Sequence, residues 1–565
     1  MSDRILVIAL QNALEHGGKA RAGAVMGKAM SLMPELKDDP EAASELVRGA
    51  VAMVNSMTSE QQDAELDKLG GPISTGTRKK SEGLPELKDR TENGVRMRFA
   101  PGPSGPLHLG HSRAAVVNDE YVKKYGGSFI LRLEDTNPAR IDPDAYGMIP
   151  EDLKWLGINV DEMFVQSDRF GIYIELAGEL VNRGAAYVCT CDPDHWRDLK
   201  NDSRACPHRE LPKEVQLENW SRMKEGDFDP GEASLMIKTD LEHPNPAVRD
   251  FVGMRILDIS HPRTGGRFRI YPLYNLAVAL DDHLMGCTHI LRGNDHLNNT
   301  YRQEYVYDHM GWERPQFIHY GLVSIPDVVL KTSTIREELG KGRYSGWDDI
   351  RLGTLRALEA RGIVPEAVRS LWVEVGIKPV DITFSWENLY SKNRSLIDGK
   401  SKRYFMVRGP IYVSVHTKKE LTGRALLYPD PKRGRVECKN YRLEPEEGTV
   451  GIYLDREDRN MLKTGELIRL KDLCNIRITG EEPFTAIPCE GGLGEAREKG
   501  GAIVQWVEDP GEGCELFYPD GTRDAGLIEN AALESAGRKE IVQLERVGFF
   551  RLYPGKAVRA WHTHN

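Results

Sequence analysis

The sequence predicts a multidomain α/β protein, and three observations carry that expectation. Between Gly94 and about Pro326, strand-like apolar runs alternate with longer helical patterns, the order that builds a parallel sheet. Residues 1–70 are Ala-rich, with apolar positions recurring at about the 3.6-residue helical period, clearest in 3–16 and 39–56. After Asn393, short β-like runs at 411–415, 450–454, 465–470, 476–478, 502–507 and 547–552 are punctuated by Gly, Pro and Asp, as in one or two antiparallel barrels. A chain of 565 residues exceeds one hydrophobic core and fits about three to five domains.

In chain order, the helical region gives way at 71–93 to a polar stretch containing Gly and Ser that reads as a linker. In the α/β part, the strand 95–100 leads through a Gly/Pro-rich bend to a helix starting near Gly110. The strand 129–133 precedes a helix at 145–156, and the strand 289–292 precedes one at 299–310. Residues 347–372 are again helical, with Pro365 at a helix start. The composition, 40% apolar and 29% charged, is that of a soluble globular chain. No apolar run reaches the roughly 18 residues of a membrane helix, and no signal peptide is evident. Eight cysteines in this length do not make a disulfide framework, so a reducing cytoplasm is expected.

A net charge of −10 argues against nucleic-acid binding only if positive charge is evenly spread. It is not. Between Lys400 and Arg442, twelve Lys/Arg face three Asp/Glu. Lys402, Arg403, Arg408, Lys432, Arg433 and Arg435 are the candidate phosphate contacts there, with Tyr404, Phe405 and Tyr428 interleaved as stacking partners for unpaired bases. Solvated strand faces are the plain alternative.

The most informative segment is Arg98-Phe-Ala-Pro-Gly-Pro-Ser-Gly-Pro-Leu-His108-Leu-Gly-His111. Strand, glycine-rich bend and helix start in that order aim backbone N–H groups and a positive helix end at a phosphate. Pro101, Gly102, Ser104, Gly105, His108, Gly110 and His111 are therefore candidate nucleotide contacts, the two imidazoles placed to bond a triphosphate. A second segment, Phe129-Ile-Leu-Arg132-Leu-Glu134-Asp135-Thr136-Asn137, is an apolar strand ending in charge, where open α/β sheets bind ligands. A third runs Tyr271-Pro-Leu-Tyr274 through Asp281-Asp282-His283 and His289-Ile-Leu-Arg292-Gly. Its Asp-Asp-His cluster could suggest a metal site, but such clusters more often end a helix or form surface ion pairs. Cys189-Thr-Cys191, fourteen residues and Cys206-Pro-His208 supply three thiols and an imidazole, a donor set for tetrahedral zinc. The spacings within each pair are tighter than the commonest zinc pairs, and reduced structural cysteines are the alternative.

Together these segments resemble the class I aminoacyl-tRNA synthetases, in the glutamyl/glutaminyl branch and its archaeal glutamyl form. The first resembles the family's nucleotide signature, the second its R-I-E-D-T-D motif, and the third its Y-x-L-A-x-x-x-D-D-H-L-M-G-x-T-H-x-x-R-G pattern. Asn393-Arg-Ser-Leu-Ile-Asp398 through Arg403-Tyr-Phe is similar to the junction before β-barrel anticodon-binding domains. The resemblance implies seven regions. These are an N-terminal helical extension (1–70), a linker (71–93), a Rossmann-like catalytic first half (94–188), an acceptor-stem-binding insertion (189–270), a catalytic second half (271–340), a helical connector (341–392) and β-barrel anticodon-binding domains (393–565).

What the resemblance implies for the site is specific. ATP with Mg²⁺ and L-glutamate are the small substrates, and tRNA(Glu) is the acceptor, with tRNA(Gln) left open. Glu134 would hold the substrate amino group, Tyr274 would line the amino-acid pocket, and Arg98 and Arg292 would be the cations for two carboxylates. Glutaminyl enzymes carry an uncharged residue at the position of Arg292, so the arginine points to glutamate. Which arginine meets which carboxylate stays open. Lys331 and Ser333 fall where the mobile K-M-S-K-S loop belongs and would act in catalysis with His108 and His111. The loop departs from the pattern in having Thr334 at the second lysine, with Arg336 or Lys341 as substitutes for the missing charge. That departure keeps a non-catalytic tRNA-binding paralogue as an alternative, beside a glutaminyl enzyme. The resemblance further implies a monomer, and zinc on Cys189, Cys191, Cys206 and His208.

Overall fold

The computed structural model describes residues 2–15, 18–33, 36, 39–69, 71, 83–88 and 94–565. The chain divides into two compact units, Met1–Glu82 and Gly83–Asn565. Among its described residues the first holds four α-helices, Ser2–Glu15, Ala22–Leu32, Pro40–Asn55 and Ser59–Lys68. Its core is the apolar stripe of the first and third helices, with Ile5, Ile8, Leu10, Val47 and Val54 buried. Asp39 caps the third helix by accepting from the Ala42 N–H, directly before Pro40 at the first helical position. Most of the expected linker at 71–93 lies outside the described residues. Its described part, 83–88, belongs to the second unit: Leu87 is buried beside Val95 and Tyr121, and its N–H donates to the Tyr125 hydroxyl.

The second unit is organised by a five-stranded parallel sheet. Its strands Val95–Phe99, Gly127–Leu133, Glu162–Val165, His289–Gly293 and Gln316–Tyr320 lie in the spatial order third-second-first-fourth-fifth. The order reverses between the first and fourth strands. The carboxyl ends of those two strands therefore frame a crevice, the place where open α/β sheets bind ligands. Between the third and fourth strands the chain inserts an antiparallel sheet, Ala186–Cys189, Ser234–Ile237, Phe251–Ile256 and Ile270–Pro272. The connector helices Leu355–Arg361, Pro365–Val375 and Trp386–Ile397 follow. Their Trp372 donates to Ser112 Oγ and so ties the connector to the first long helix, Leu109–Tyr125.

Beyond residue 400 the expected barrels form, as two nearly closed seven-stranded sheets. In one, the edge strands are Lys402–Tyr404 and Met406–Arg408, separated only by Phe405; in the other they are Ala502–Val504 and Trp506–Glu508, separated only by Gln505. The second barrel (411–508) is threaded into the first (402–408 and 512–564). Pairing is mostly antiparallel, with parallel contacts where distant segments meet, as between Lys402–Tyr404 and Ile541–Leu544. No hairpin turn constrains direction there. Among the described residues, no helix is long and apolar enough to cross a membrane.

Candidate active site

The bend after the first strand is built by its own histidines. His108 is the N-cap of Leu109–Tyr125, and its Nδ1 accepts from the N–H of Gly110 at 3.1 Å and of His111 at 3.3 Å. His111 returns the contact, its Nδ1 accepting from the His108 N–H at 3.5 Å, and the two rings stack 3.6 Å apart. This is a capping box made from imidazoles. It fixes their chemistry, because an Nδ1 that accepts leaves the proton on Nε2. Burial, and for His108 also the neighbouring ring, pushes the pKa down to about 2 for His108 and about 4 for His111. Both are therefore neutral Nε2–H donors at neutral pH. Gly110 is close against His108, since a Cβ there would lie 3.1 Å from its ring.

Gly105 adopts φ +149°, and a Cβ on it would come within 3.2 Å of both Thr332 and Trp347. Ser104 Oγ lies 3.0 Å from Thr332 Oγ1, so the expected mobile loop does meet the bend. Lys331 is the N-cap of the helix Thr332–Gly340, and Lys331, Ser333 and Thr334 are exposed. Of the two substitutes for the missing lysine, Arg336 reaches the bend: it donates to the Ser104 carbonyl at 2.5 Å and pairs with Asp142 at 3.0 Å. Lys341 does not. It is held by Glu337 and Glu338 at the far end of the same helix.

Two adjoining cavities of about 560 and 710 Å³ open at the sheet crevice and share Gly102, His111, Glu134 and Tyr274. The smaller is also lined by Arg98, Pro101, His108, Gly110 and Arg292, so it gathers both the nucleotide and the glutamate candidates. The two arginines differ in kind. Arg98 is bound to Asp282, Nε to Oδ1 at 3.0 Å and Nη2 to Oδ2 at 3.4 Å. Asp282 also takes Arg132 Nη1 at 2.6 Å, and Arg132 in turn holds Glu134 Oε1 at 2.9 Å. Burial lowers the Arg98 pKa, but the Asp282 carboxylate outweighs it and the net shift is upward. Burial raises the Glu134 pKa, and Arg132 and Arg98 only partly offset it.

Arg292 has no such partner. It is buried at 5% exposure, and its guanidinium donates to Gln303 Oε1 at 2.9 Å and to the Thr300 hydroxyl. It lies 4.8 Å from the Phe317 ring centroid, and its Nε is buried without a hydrogen-bond partner. Burial lowers its pKa from the usual guanidinium value. Among the described residues it pairs with no carboxylate. Arg98, Arg132, Arg169 and Arg292 against Asp281, Asp282 and Glu134 leave one positive charge over, which an added anion would balance. Tyr274 completes this wall, its hydroxyl 3.3 Å from His296 Nδ1. The Asp281-Asp282 pair is thus occupied by ion pairs, with Asp281 accepting from Arg169, Tyr173 and Gln166. Its neighbour His283 stacks on Trp312.

Cys189, Cys191, Cys206 and His208 converge, with all four donor atoms within 4.8 Å of one another. Cys189 and Cys206 sulfurs are 3.5 Å apart, and His208 Nδ1 lies 3.3 Å from Cys191 Sγ. Zn–S bonds of about 2.3 Å in a tetrahedron put sulfurs about 3.8 Å apart, so the donor set fits zinc. His208 Nε2 is 3.0 Å from Thr190 Oγ1, a contact that orients the ring.

The basic stretch is dispersed. Lys402 pairs with Glu540, Arg403 with Asp398, Arg408 with Asp455 and Glu457, and Arg433 with Glu437. Lys432 and Arg435 pair with no acid among the described residues. The expected stacking role of Tyr404, Phe405 and Tyr428 is wrong, because their exposures are 2, 1 and 4% and they cannot meet a base. Tyr404 and Phe405 fill the barrel cores instead. Sequence reasoning also assigned no role to Arg132 and Asp282, which hold Arg98 and Glu134. Nor did it single out Trp196, Lys200, Arg255 and Arg302, which line the larger cavity. Charged residues inside apolar runs, such as Arg132 in Phe-Ile-Leu-Arg-Leu, were the available signal for the first pair.

Residues 94–398 match the family described as tRNA synthetases class I (E and Q), catalytic domain, and residues 401–490 match its anti-codon binding domain. The chain belongs to this family. Its synthetase relatives match end to end. The glutamate–tRNA ligase of Methanopyrus kandleri is 45% identical, covering 100% of this chain and 99% of its own. That of Methanothermobacter thermautotrophicus is 47% identical, covering 98 and 97%. A solved glutamate tRNA ligase from Elizabethkingia meningosepticum, in complex with its amino acid, is 24% identical with a TM-score of 0.39, covering 54% of this synthetase and 71% of that chain.

Proposed function

We infer that this synthetase is a glutamate–tRNA ligase, activating L-glutamate with ATP and transferring it to the 3′ end of tRNA(Glu). The observation that carries the choice of amino acid is Arg292, a buried guanidinium in the cavity wall with no counter-carboxylate among the described residues. Glutamate's side-chain carboxylate satisfies it with a planar, charge-assisted pair. The amide of glutamine would leave it unpaired, a loss large enough to reject that substrate. Glu134 receives the amino group, and Tyr274 closes the pocket. Arg98, committed to Asp282, shapes the floor.

ATP accompanied by Mg²⁺ lies along the bend, its phosphates on the Nε2–H groups of His108 and His111 and on the backbone of Gly102, Ser104, Gly105 and Gly110, beside Pro101. Neutral imidazoles there donate without titrating as charge builds on the leaving pyrophosphate. The glutamate α-carboxylate attacks the α-phosphorus in line, pyrophosphate leaves, and Lys331 and Ser333 close from the loop side. A ribose hydroxyl at the tRNA 3′ end then attacks the carbonyl carbon and AMP leaves. The larger cavity, with Trp196 beside Lys200, Arg255 and Arg302, suits that terminal nucleotide. Lys432 and Arg435 are the barrel-side phosphate contacts, while Lys402, Arg403, Arg408 and Arg433 are held by neighbouring acids. Cys189, Cys191, Cys206 and His208 would hold a structural zinc that fastens the excursion 190–208 to the inserted sheet; elemental analysis should find one zinc per chain.

The test is aminoacylation of purified tRNA(Glu) and tRNA(Gln) with labelled glutamate and glutamine. Glutamyl-tRNA(Glu) is expected, with pyrophosphate exchange only when tRNA is present. Charging with glutamine would overturn the specificity, and tRNA binding without any charging would mark a non-catalytic paralogue. Charging of tRNA(Gln) with glutamate would define a two-acceptor enzyme.

A further inference from the structure

The helix Leu297–Met310 turns Thr300 and Gln303, three residues apart and so on one face, toward the last two strands of the parallel sheet. There Arg292 stands directly opposite His319, and the two side chains share a sheet face. Thr300 Oγ1 accepts from Arg292 Nη2 and lies 2.8 Å from His319 Nε2, whereas the His296 carbonyl is 3.4 Å away. The hydroxyl proton therefore goes to the imidazole, which accepts it on Nε2 and keeps its own proton on Nδ1. Burial first, then Arg292 and His296, hold the His319 pKa down at about 4 against the opposing pull of Asp295. His319 is thus neutral at neutral pH. Gln303 Oε1 accepts from Arg292 Nη1 at 2.9 Å, and Gln303 Nε2 donates to Asn275 Oδ1 at 3.4 Å.

Both acceptors that hold this guanidinium are uncharged and buried. The neighbouring acids are placed elsewhere. Asp282 is shared by Arg98 and Arg132, Glu304 pairs with Arg314 at 3.4 Å, and Asp295 lies 3.8 Å from His296 Nε2. A carboxylate would have fixed Arg292 just as firmly, but it would also have neutralised it. A hydroxyl and an amide oxygen set the direction of the fork and leave its charge for a ligand. Such a shell leaves a buried cation uncompensated in the empty pocket, and an anionic ligand completes it.

We propose that Thr300 and Gln303 are specificity-determining residues: as neutral acceptors they aim Arg292 at the side-chain carboxylate of the amino acid without discharging it, and His319 positions the Thr300 hydroxyl for that task. The proposal rests on the reading of the chain as a glutamate–tRNA ligase.

The sharpest variant is Gln303→Glu, which keeps the side-chain shape and sets a carboxylate against Arg292 Nη1. The full-length protein is assayed for tRNA charging at varied glutamate and ATP, beside thermal melts of each variant. Gln303→Glu should raise the KM for glutamate about thirtyfold or more, with kcat and the KM for ATP changed by no more than about threefold. Its thermal midpoint should hold or rise, because a buried charge gains a partner. A damaged fold does not give that combination. Thr300→Val should raise the glutamate KM about tenfold, and Thr300→Ser should recover most of that loss. His319→Leu, which removes the acceptor behind the hydroxyl, should raise it by a smaller factor.

Wild-type glutamate KM values in Gln303→Glu and Thr300→Val would overturn the proposal and leave the ligase reading standing. So would lowered thermal midpoints with KM rising alike for glutamate and ATP, or a Thr300→Ser variant as impaired as Thr300→Val. A wild-type protein that charges no tRNA with glutamate would sink the ligase reading, and this proposal with it.

Discussion

Arg98 and Arg292 lie in one cavity wall and read alike as charged residues, but their surroundings assign them opposite work. Arg98 shares the buried Asp282 with Arg132, so Arg98→Leu leaves that carboxylate with one cation in place of two and should destabilise the fold by about 1.5–3 kcal/mol. Arg292 has an orphaned Nε and, among the described residues, no acid, so Arg292→Leu should leave the thermal midpoint unchanged or raise it. The same substitution should cut kcat/KM for glutamate about a hundredfold or more, by removing one partner of a desolvated charge pair. Steady-state kinetics beside thermal melts of the two variants check this contrast; a destabilised Arg292→Leu with normal glutamate kinetics would reverse the assignment. The histidine pair carries a pH signature as well. Folded values near 2 and 4 lie below the ordinary 6.5, so the unfolded chain binds the extra protons. Their stabilising contribution is complete above about pH 6.5 and is lost progressively as pH falls toward 4 and then 2. Thermal midpoints should fall on acidification from pH 7 to 5, and a His111→Asn variant should fall less steeply.

At the scale of elements, the bend and the loop helix form one unit. Arg336 links them through the Ser104 carbonyl and Asp142, whereas Thr334 faces solvent. Arg336→Ala should therefore lower kcat about tenfold and raise the KM for ATP, as expected when a positioning contact beside the phosphates is lost. Thr334→Ala should do neither, and an ATP-dependent rate assay on both variants separates the outcomes. The bend was legible in the sequence because its information is local: a helix start, glycine at a close approach and paired imidazoles fall within fourteen residues. The convergence of Cys189, Cys191, Cys206 and His208 was legible for the same reason. The loop was only half legible, since family spacing placed it but the rotation of the helix Thr332–Gly340 decides which of its side chains reaches Ser104. The counterion of Arg98 sits 184 residues away, on a helix that returns from the insertion, and no local pattern announces such a pairing.

Across the whole molecule, the parallel sheet could be expected from alternation alone, but the nesting of the barrels could not. Closure at Phe405 depends on pairing between segments more than a hundred residues apart, as Lys402–Tyr404 with Ile541–Leu544 shows, and closure at Gln505 on pairing of 502–508 with strands dozens of residues upstream. The same nesting explains why the basic stretch misleads: it crosses from one barrel into the other, and some of its cations are joints. Lys439 is the clearest case. It is 6% exposed, its ammonium lies 2.5 Å from Glu529 Oε1, and Glu529, at 1% exposure, also accepts from Tyr441 and the Phe405 N–H. One carboxylate thus binds the hairpin 421–443 to the outer barrel and to its closing corner. Glu529→Ala leaves a buried ammonium unpaired and should cost about 3–5 kcal/mol. Glu529→Leu combined with Lys439→Met replaces the buried pair by apolar volume and should recover most of that loss. The measurement is chemical unfolding followed by tryptophan fluorescence, to which the neighbouring Trp506 contributes. If the single substitution leaves the unfolding midpoint in place, Lys439 has another route to solvent or charge and Glu529 is not the joint between the barrels.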